Sequence, residues 1–275
     1  MGQTVSFYSS DRAKAAQYQA RHQGLMAYDN LDIALKNPAI ESCIVCVPHH
    51  LHEEYVVKIL NLQKHVLLEK PIAHSLASAG KIIQTAKEKK LSSAFMIAEQ
   101  MDFLPVISNI KKLSLPISYR FNDFSTYYPT GWRTKLEQSG GGVMLDLGIH
   151  YVSLAIKLFG PIESHKKTIK CYLDNGEIPS HEQLGLTHKN GIKGQIEVAW
   201  RQKFNARKIE VVTDESCFYY RPGSRFAKLG PLPQFVCFRS ANGRRQMMQE
   251  YLRRCQDSRR GIESEDTLKA LAVVL

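Results

Sequence analysis

The sequence predicts two structural units, an α/β unit with a parallel sheet and then an α+β unit with a largely antiparallel sheet. In the first hundred residues, short apolar segments alternate with amphipathic ones, which is the rhythm of parallel strands covered by helices. Later strands follow one another through short turns, as in antiparallel sheets. A length of 275 residues also favours two units. We divide the chain into residues 1–98 and 99–275.

The first unit is predicted to alternate four strands with four helices. Gly24 ends the first helix, and a proline at 38 stops the second. The strand at 42–47 is nearly all apolar and is therefore expected to be buried. The predicted strands are 5–8, 42–47, 65–68 and 91–98. The predicted helices are 11–22, 31–36, 51–62 and 75–90.

The second unit is predicted to combine helices with hairpins. Helices are expected at 101–113 and at 144–159, where Gly160 and Pro161 end the second one. A strand is expected at 116–128. Several more follow between 162 and 220, joined by turns such as Asp174-Asn175-Gly176. Residues 221–242 contain scattered glycine and proline and are predicted to be a long loop, after which two helices close the chain.

The net charge of +11 has a structural explanation. Arginine pairs at 244–245 and 253–254 alternate with apolar residues, which predicts an amphipathic helix with a solvated basic face. No nucleic-acid-binding module accompanies them, so no nucleic-acid partner is expected. No uninterrupted apolar run approaches ~20 residues, and no secretory signal is recognisable. We expect a cytoplasmic protein without a membrane partner.

No metal site is predicted. Cys43 and Cys46 lie three apart on a predicted strand and therefore face opposite sides. The six cysteines are expected to be reduced core residues. The three histidines within 49–52 have no second cluster to complete a coordination sphere.

Lys70 is the first candidate for chemistry. It lies in Glu69-Lys70-Pro71, directly after the strand at 65–68, and Pro71 stops that strand. The carboxyl ends of parallel strands border the crevice in which open α/β sheets bind ligands. A lysine there could bind a substrate oxygen and exchange a proton. The alternative is a surface lysine paired with Glu69.

Asp146 and His150 form a second candidate group. They are four residues apart at the start of a predicted helix and share one face. Asp146 could orient a substrate or hold a cation, and His150 could donate and accept a proton. Alternatively, Asp146 offsets the helix dipole and His150 is a core residue. Gly140 to Gly142 permit close backbone approach, but they lack the βαβ context of a phosphate loop.

Together these motifs resemble the Gfo/Idh/MocA family of NAD(P)-dependent oxidoreductases. The resemblance extends along nearly the whole chain, and its motifs occur in the same order as in the family. The segments that carry it are I-V-C-V-P-H-H-L-H at 44–52, K-H-V-L-L-E-K-P at 64–71, A-E-Q-M-D-F-L-P at 98–105, G-W-R at 131–133, and 140–150.

The resemblance implies a Rossmann-like first unit and hydride transfer between NAD(P) and a sugar, polyol or related alcohol. Lys70 would polarise the reacting oxygen, His150 would transfer the hydroxyl proton, and Asp146 would position the substrate. Trp132 and Arg133 would contact the substrate as well.

The resemblance also implies a set of cofactor-binding positions. Pro48, His52 and Glu69, together with Lys70, would border the nicotinamide and its ribose. The adenosine ribose would be read by residues just after the first strand, Ser9, Ser10 and Arg12. Serine and arginine at these positions suit a 2′-phosphate and favour NADP over NAD.

The sequence departs from the family at the cofactor's phosphates. The family opens with a strand, G-x-G-x-x-G and a helix, and this pattern is absent from the sequence. In the strand order 3-2-1-4-5-6 the absent strand is central, so unpaired edges are expected beside it. Gln100 and Asp102 also replace the expected Asn and Arg.

Three hypotheses remain open. The chain is an oxidoreductase truncated at both ends, a degenerate family member that serves as a binding or partner subunit, or an unrelated α/β protein. Oligomeric state also stays open, and the free face of the second-unit sheet is the candidate surface for a homo-oligomer.

Overall fold

The computed structural model describes residues 4–89, 94–113, 116–230, 234–237, 243–257 and 265–275. The strands are β1 Phe7–Tyr8, β2 Ala27–Tyr28, β3 Ser42–Val45, β4 His65–Leu68, β5 Phe95–Ile97, β6 Pro116–Phe124, β7 Ile162–Tyr172, β8 Pro179–His188, β9 Lys193–Ala199, β10 Ala206–Thr213, β11 Cys217–Tyr220, β12 Phe226–Leu229 and β13 Gln234–Cys237. The helices are α1 Arg12–His22, α2 Leu31–Lys36, α3 His52–Asn61, α4 Leu76–Glu88, α5 Ile107–Ile110, α6 Leu136–Ser139, α7 Ile149–Phe159, α8 Arg244–Gln256 and α9 Glu265–Val274.

The first unit contains a parallel sheet of β3, β4 and β5, with α3 packed against α4 beside it. Alternate residues of β4 enter different clusters, as the strand period requires. Val66 and Leu68 join the main core, whereas Leu67 packs with Met247 and Tyr251 of α8. Helix α8, which the division at residue 98 assigns to the second unit, therefore packs on the sheet of the first.

Strands β1 and β2 form a separate two-stranded parallel sheet. Neither is hydrogen-bonded to β3, so β1 and β3 each have an edge without a strand partner among the described residues. In the order 3-2-1-4-5-6, the gap between them is the position of the central strand. The expected unpaired edges are confirmed.

The expectation of a buried strand at 42–47 was wrong. Strand β3 ends at Val45, and Ile44 is 55% exposed although its register partner Leu67 is only 1% exposed. The physical reason is that β3 is an edge strand, so one side of Ile44 meets no neighbour. The expectation of core cysteines was also wrong. All six are free, and none is fully buried.

The second unit is an eight-stranded sheet in the order β13-β12-β11-β10-β6-β9-β8-β7. β6 and β9 pair in parallel, and the other neighbouring pairs are antiparallel. The largely antiparallel sheet is thus confirmed. The predicted loop at 221–242 was wrong in part, because β12 and β13 extend the sheet there. Pairing to β11 supplies the order that local glycine and proline content did not indicate.

The helix predicted at 144–159 was right except at its start, whereas the one predicted at 101–113 was wrong. The helix expected at 101–113 is replaced by a 3-10 turn, Gln100–Phe103, and the short α5. Pro105 lies between them, and a proline removes a helical hydrogen bond. The helix expected at 144–159 exists, but its first turn, Met144–Gly148, is a π-helix that leads into α7.

The stretch Leu136–Phe159 is long and apolar enough to span a membrane by length and composition alone. Its most apolar 18-residue window is 72% buried within the fold. The core helix of a globular protein meets the same criterion, so the expectation of no membrane partner stays a prediction.

Candidate active site

The carboxyl ends of two neighbouring strands supply one side of the site. Lys70 lies two residues beyond the end of β4, and Glu99 lies two residues beyond the end of β5. Because β4 and β5 are parallel and adjacent, both residues reach the same edge of the sheet. The polar groups of the two strand ends therefore converge on the second unit.

The π turn and the start of α7 supply the other side. Nζ of Lys70 donates to Oδ1 of Asp146 at 2.9 Å and also to the Asp146 carbonyl oxygen. Each side chain of this ion pair is only 15% exposed. π-helical turns are frequent at functional sites, and this one presents both acceptors of Asp146 to a single ammonium group.

The ion pair sets the charge of Asp146. Burial opposes ionisation of this carboxyl group, but the charge and the hydrogen bond of Lys70 outweigh it. Arg133 adds a smaller electrostatic contribution in the same direction. The pKa of Asp146 is lowered to about 2, so the carboxylate is ionised at neutral pH.

His150 is paired with Glu99. Its Nδ1 lies 2.8 Å from Oε2 of Glu99, and the two residues are 7% and 4% exposed. Lys70, Asp146 and His150, which the sequence proposed as one group, therefore lie together with Glu99 where the two strand ends meet the helical segment. These four residues are called the site wall below. Their catalytic roles stay predictions.

His49 is a site residue that the sequence predictions omitted. It is buried, contacts the Ser139 carbonyl oxygen through Nδ1 at 3.0 Å, and stands edge-on to the Trp132 ring at 4.4 Å between centroids. Burial lowers the pKa of His49 to about 3, and the nearby Lys70 charge contributes to this shift. His49 is therefore neutral at physiological pH.

Trp132 and Arg133 lie beside this group, as predicted, in the 3-10 turn Gly131–Thr134. The Arg133 guanidinium stacks 4.3 Å from the Trp132 ring centroid. Arg133 Nε is buried without a hydrogen-bond partner. A donor left unpaired beside an ionised carboxylate suits an incoming oxygen atom, but contact with substrate stays a prediction.

The glycine run before the site serves close packing within the protein. Gly140 has a φ of +78°, and a Cβ there would collide with the backbone of His74. A Cβ at Gly142 would collide with the backbone of Pro179. Both glycines therefore permit close approach of the protein's own backbone.

The predicted adenosine-ribose residues follow β1. Ser9 Oγ accepts from the Asp11 amide at 3.2 Å, Asp11 caps α1, and Ser10 is exposed. Arg12 lies 3.9 Å from Asp29, and its side chain is 89% exposed. These positions border the open edge of β1, and their cofactor role stays a prediction.

The predicted nicotinamide residues differ in how free they are to bind. Pro48 starts the 3-10 turn His49–Leu51, and Glu69 is exposed at the end of β4. His52 is fully buried, with its ring nitrogens 2.9 Å from the Val47 and Pro71 carbonyl oxygens. Burial lowers its pKa. A neutral imidazole carries a single N–H, so His52 donates to only one of these carbonyl oxygens. Since both ring nitrogens face the protein backbone, we expect His52 to hold the backbone beside a cofactor rather than to contact the cofactor.

Gln100 and Asp102, which replace residues typical of the family, make contacts within the protein. Gln100 accepts from Arg244 of α8 at 2.9 Å, and Asp102 accepts from Lys157 of α7 at 2.6 Å. Both tie the turn after β5 to helices. Among the described residues, no group of three or more His, Cys, Asp or Glu side chains is arranged to hold a metal ion.

This arrangement, a parallel α/β unit whose strand ends face polar helical residues of a mixed-sheet unit, is typical of two-domain oxidoreductases. A profile described as "Oxidoreductase family, NAD-binding Rossmann fold" matches residues 2–96, and one for the GFO/IDH/MocA C-terminal domain matches residues 115–218. The chain belongs to the Gfo/Idh/MocA family.

Curated relatives share the sequence over part of their length. The NADP(+)-dependent scyllo-inositol 2-dehydrogenase IolU of Bacillus subtilis is 26% identical over 169 residues, which are 58% of this chain and 51% of the relative. Trans-1,2-dihydrobenzene-1,2-diol dehydrogenase of Xenopus laevis is 27% identical over 202 residues, 71% of this chain and 56% of the relative. The chain spans about half the length of the curated relatives it matches.

Solved structures share the fold. Levoglucosan dehydrogenase in complex with NADH and levoglucosan superposes with a TM-score of 0.84 at 16% identity, covering 98% of this chain and 84% of that one. A 3-ketoreductase from Actinomadura kijaniata solved with NADP gives 0.86 at 16% identity, covering 98% and 87%.

Proposed function

We propose that this chain carries the substrate side of an NAD(P)-dependent dehydrogenase that acts on a CH–OH group of a sugar, polyol or related small molecule. The relatives named above are dehydrogenases of such compounds. The observation that carries the proposal is the pairing of Lys70 with Asp146 beside His150 with Glu99. An ammonium group can stabilise the developing alkoxide and an imidazole can accept the hydroxyl proton, which are two tasks in the oxidation of a hydroxyl group.

Each residue has a distinct task in this proposal. Lys70 hydrogen-bonds the reacting oxygen and favours its negatively charged form. His150 accepts the hydroxyl proton at Nε2, because its Nδ1 is engaged by Glu99. Asp146 is ionised, holds Lys70 in place, and accepts from a neighbouring hydroxyl of the substrate. Neutral His49 and Trp132 form an aromatic wall that limits water access.

The residues fit a nicotinamide cofactor at one end only. A bound nicotinamide would accept the hydride from the substrate carbon, next to Pro48 and Lys70. The pyrophosphate would need a glycine-rich loop and a helix N-terminus behind a central strand. Neither the sequence nor the gap between β1 and β3 supplies these groups. We propose NADP rather than NAD as the cofactor, because Arg12 suits a 2′-phosphate.

The gap favours a second candidate function. A family member without a phosphate cradle can serve as a binding or partner subunit, in which Lys70 and Asp146 form a structural ion pair. The two functions differ in their response when a cradle is supplied, because only the first then gives turnover.

The proposal is tested by supplying the cradle. A strand, glycine-rich loop and helix from an NADP-binding family member are grafted ahead of residue 4. NADPH formation is then measured with a panel of polyols and sugars. We expect turnover by the graft and none by the chain alone. A graft that binds NADPH but oxidises no member of the panel would support the partner-subunit function instead.

We propose that the protein is cytoplasmic. Its partner is a small-molecule substrate, without nucleic-acid or membrane partners. A homo-oligomer would form through the open face of the eight-stranded sheet. That face holds a cavity of about 570 Å³ lined by Arg120, Asn122 and Tyr219.

A further inference from the structure

We infer that Glu99 is a positioning residue that fixes the tautomer of His150, so that Nε2 carries the free lone pair facing the substrate. This inference deepens the proposed function and rests on it for its catalytic meaning. Its structural content, the tautomer, can be tested without turnover.

The backbone conformation of Glu99 is held by a hydrogen bond between its two neighbours. The Gln100 amide donates to the Ala98 carbonyl oxygen at 3.0 Å, and Glu99 between them has φ −81° and ψ 74°. These are the dihedral angles of an inverse γ-turn, which commonly follows a strand end. The side chain therefore leaves a fixed backbone and reaches His150 at 2.8 Å.

The pair sits beside a second, parallel pair. Lys70 and Glu99 come from the ends of adjacent strands, and their partners Asp146 and His150 are four residues apart on one helical segment. Each strand end thus binds one helical side chain. Lys70 holds Asp146 as Glu99 holds His150, so each of these two helical side chains is fixed by a contact with a strand end.

Another buried carboxylate does not compete for His150. Asp123 is close enough to interact electrostatically with the imidazole, but its oxygens accept from Tyr151 at 3.1 Å and from Arg207 at 3.2 Å. Glu99 is therefore the carboxylate to which His150 Nδ1–H donates in the described structure.

The chemical consequence follows from the two ring nitrogens. A carboxylate can only accept, so Nδ1 must carry the proton of the neutral ring, which leaves Nε2 as the acceptor. When Nε2 takes a proton from the substrate hydroxyl, the charge of Glu99 stabilises the cation that forms. The same hydrogen bond holds the ring against rotation.

The test is nitrogen-15 NMR of the histidine rings in the chain as it stands, with His150 assigned by its loss in His150→Gln. We expect a protonated Nδ1 and an unprotonated Nε2. In Glu99→Leu the ring should shift towards the Nε2–H form. A wild-type ring with Nε2–H, or an unchanged tautomer in folded Glu99→Leu, would overturn the inference.

Two further variants complete the test. Glu99→Gln keeps the shape, so it remains informative if the leucine variant does not fold. Its amide oxygen accepts from Nδ1–H without a charge, and the Nδ1 proton should move upfield as the bond weakens. An unchanged proton shift would count against the inference.

Glu182→Gln is the matched control. Glu182 is equally buried and contacts the Met144 amide at 2.8 Å rather than an imidazole. It should leave the His150 resonances in place, and a shift as large as that in Glu99→Gln would contradict the assignment. Because none of these readouts needs NAD(P), they fail independently of the proposed dehydrogenase activity.

Discussion

At the scale of single residues, the site holds one buried polar group in its charged form and another in its neutral form. Asp146 of the site wall is held ionised by Lys70, whereas the neighbouring His49 is held neutral by burial. Asp146 and His49 therefore keep these charge states over the neutral pH range. In the proposed function, a substrate hydroxyl meets the ammonium group of Lys70 and the lone pair on Nε2 of His150.

The neutrality of His49 predicts how stability depends on pH. A histidine whose folded pKa lies below its unfolded value stabilises the fold fully above about pH 6.5, and this contribution is lost as pH falls towards about 3. Between pH 7 and 5 the loss is about 2 kcal/mol for one such group. The free energy of unfolding of His49→Gln, measured with urea, should therefore fall by about 2 kcal/mol less than that of the wild-type protein between pH 7 and 5.

The control for this prediction is His165→Gln on β7, where the side chain is exposed. That variant should keep the pH dependence of the wild-type protein. Equal slopes for His49→Gln and the wild-type protein would show that folding does not lower the pKa of His49.

The sequence proposed Lys70, Asp146 and His150 from strand ends and helical spacing, which are local patterns, and Trp132 and Arg133 from the family resemblance. It omitted Glu99 and His49. The partner of Glu99 is His150, which is 51 residues away in the sequence. His49 was considered only as part of the histidine cluster at 49–52. Both roles depend on tertiary contacts that local spacing does not encode.

At the scale of elements, the gap between β1 and β3 governs the cofactor side. Strand β3 contributes Val45 to the core, but Ile44 is 55% exposed on this edge strand. Edge strands of this kind were predictable, because the sequence lacks the motif that belongs to the central strand. The π turn at Met144–Gly148 was not predictable, since its hydrophobic spacing is also that of an ordinary helix.

The difference between the two strands predicts unequal costs of truncation. Ile44→Ala should change the free energy of unfolding by less than about 0.5 kcal/mol, as an exposed substitution does. Leu67→Ala, at the paired position of β4, should cost about 2–5 kcal/mol because it leaves a cavity under α8. Chemical denaturation measures both. Comparable losses would mean that the gap is closed in solution.

The same gap predicts weak cofactor binding. Without the helix N-terminus that holds a pyrophosphate, the chain as printed should show negligible affinity for NADPH or NADH. A fluorescence titration checks this, with the grafted protein as the positive control. Micromolar affinity of the ungrafted chain would contradict this part of the account.

At the scale of the whole molecule, the chain returns to its first unit at the end. Helix α8 covers the β4–β5 face, and α9 packs on α7 and α4. The sequence predicted both sheets and these helices. It did not indicate their places, because an amphipathic helix shows which face it buries but not against which element.

The open face of the large sheet predicts self-association. If it is the oligomer surface, Asn122→Arg at its centre should shift the molecular mass measured by light scattering from an oligomer to a monomer. Lys87→Glu, on the exposed side of α4, is the control and should have no effect. A wild-type protein that is monomeric at micromolar concentration would contradict this assembly.

The most direct measurement of the central claim is the single-turnover rate of NADPH formation in the grafted protein, with Lys70→Ala and His150→Ala compared with the parent. The account predicts that each variant loses at least ~100-fold, because one removes the charge that stabilises the developing alkoxide and the other the proton acceptor. Unchanged rates in both variants, with the protein folded and NADPH bound, would contradict it.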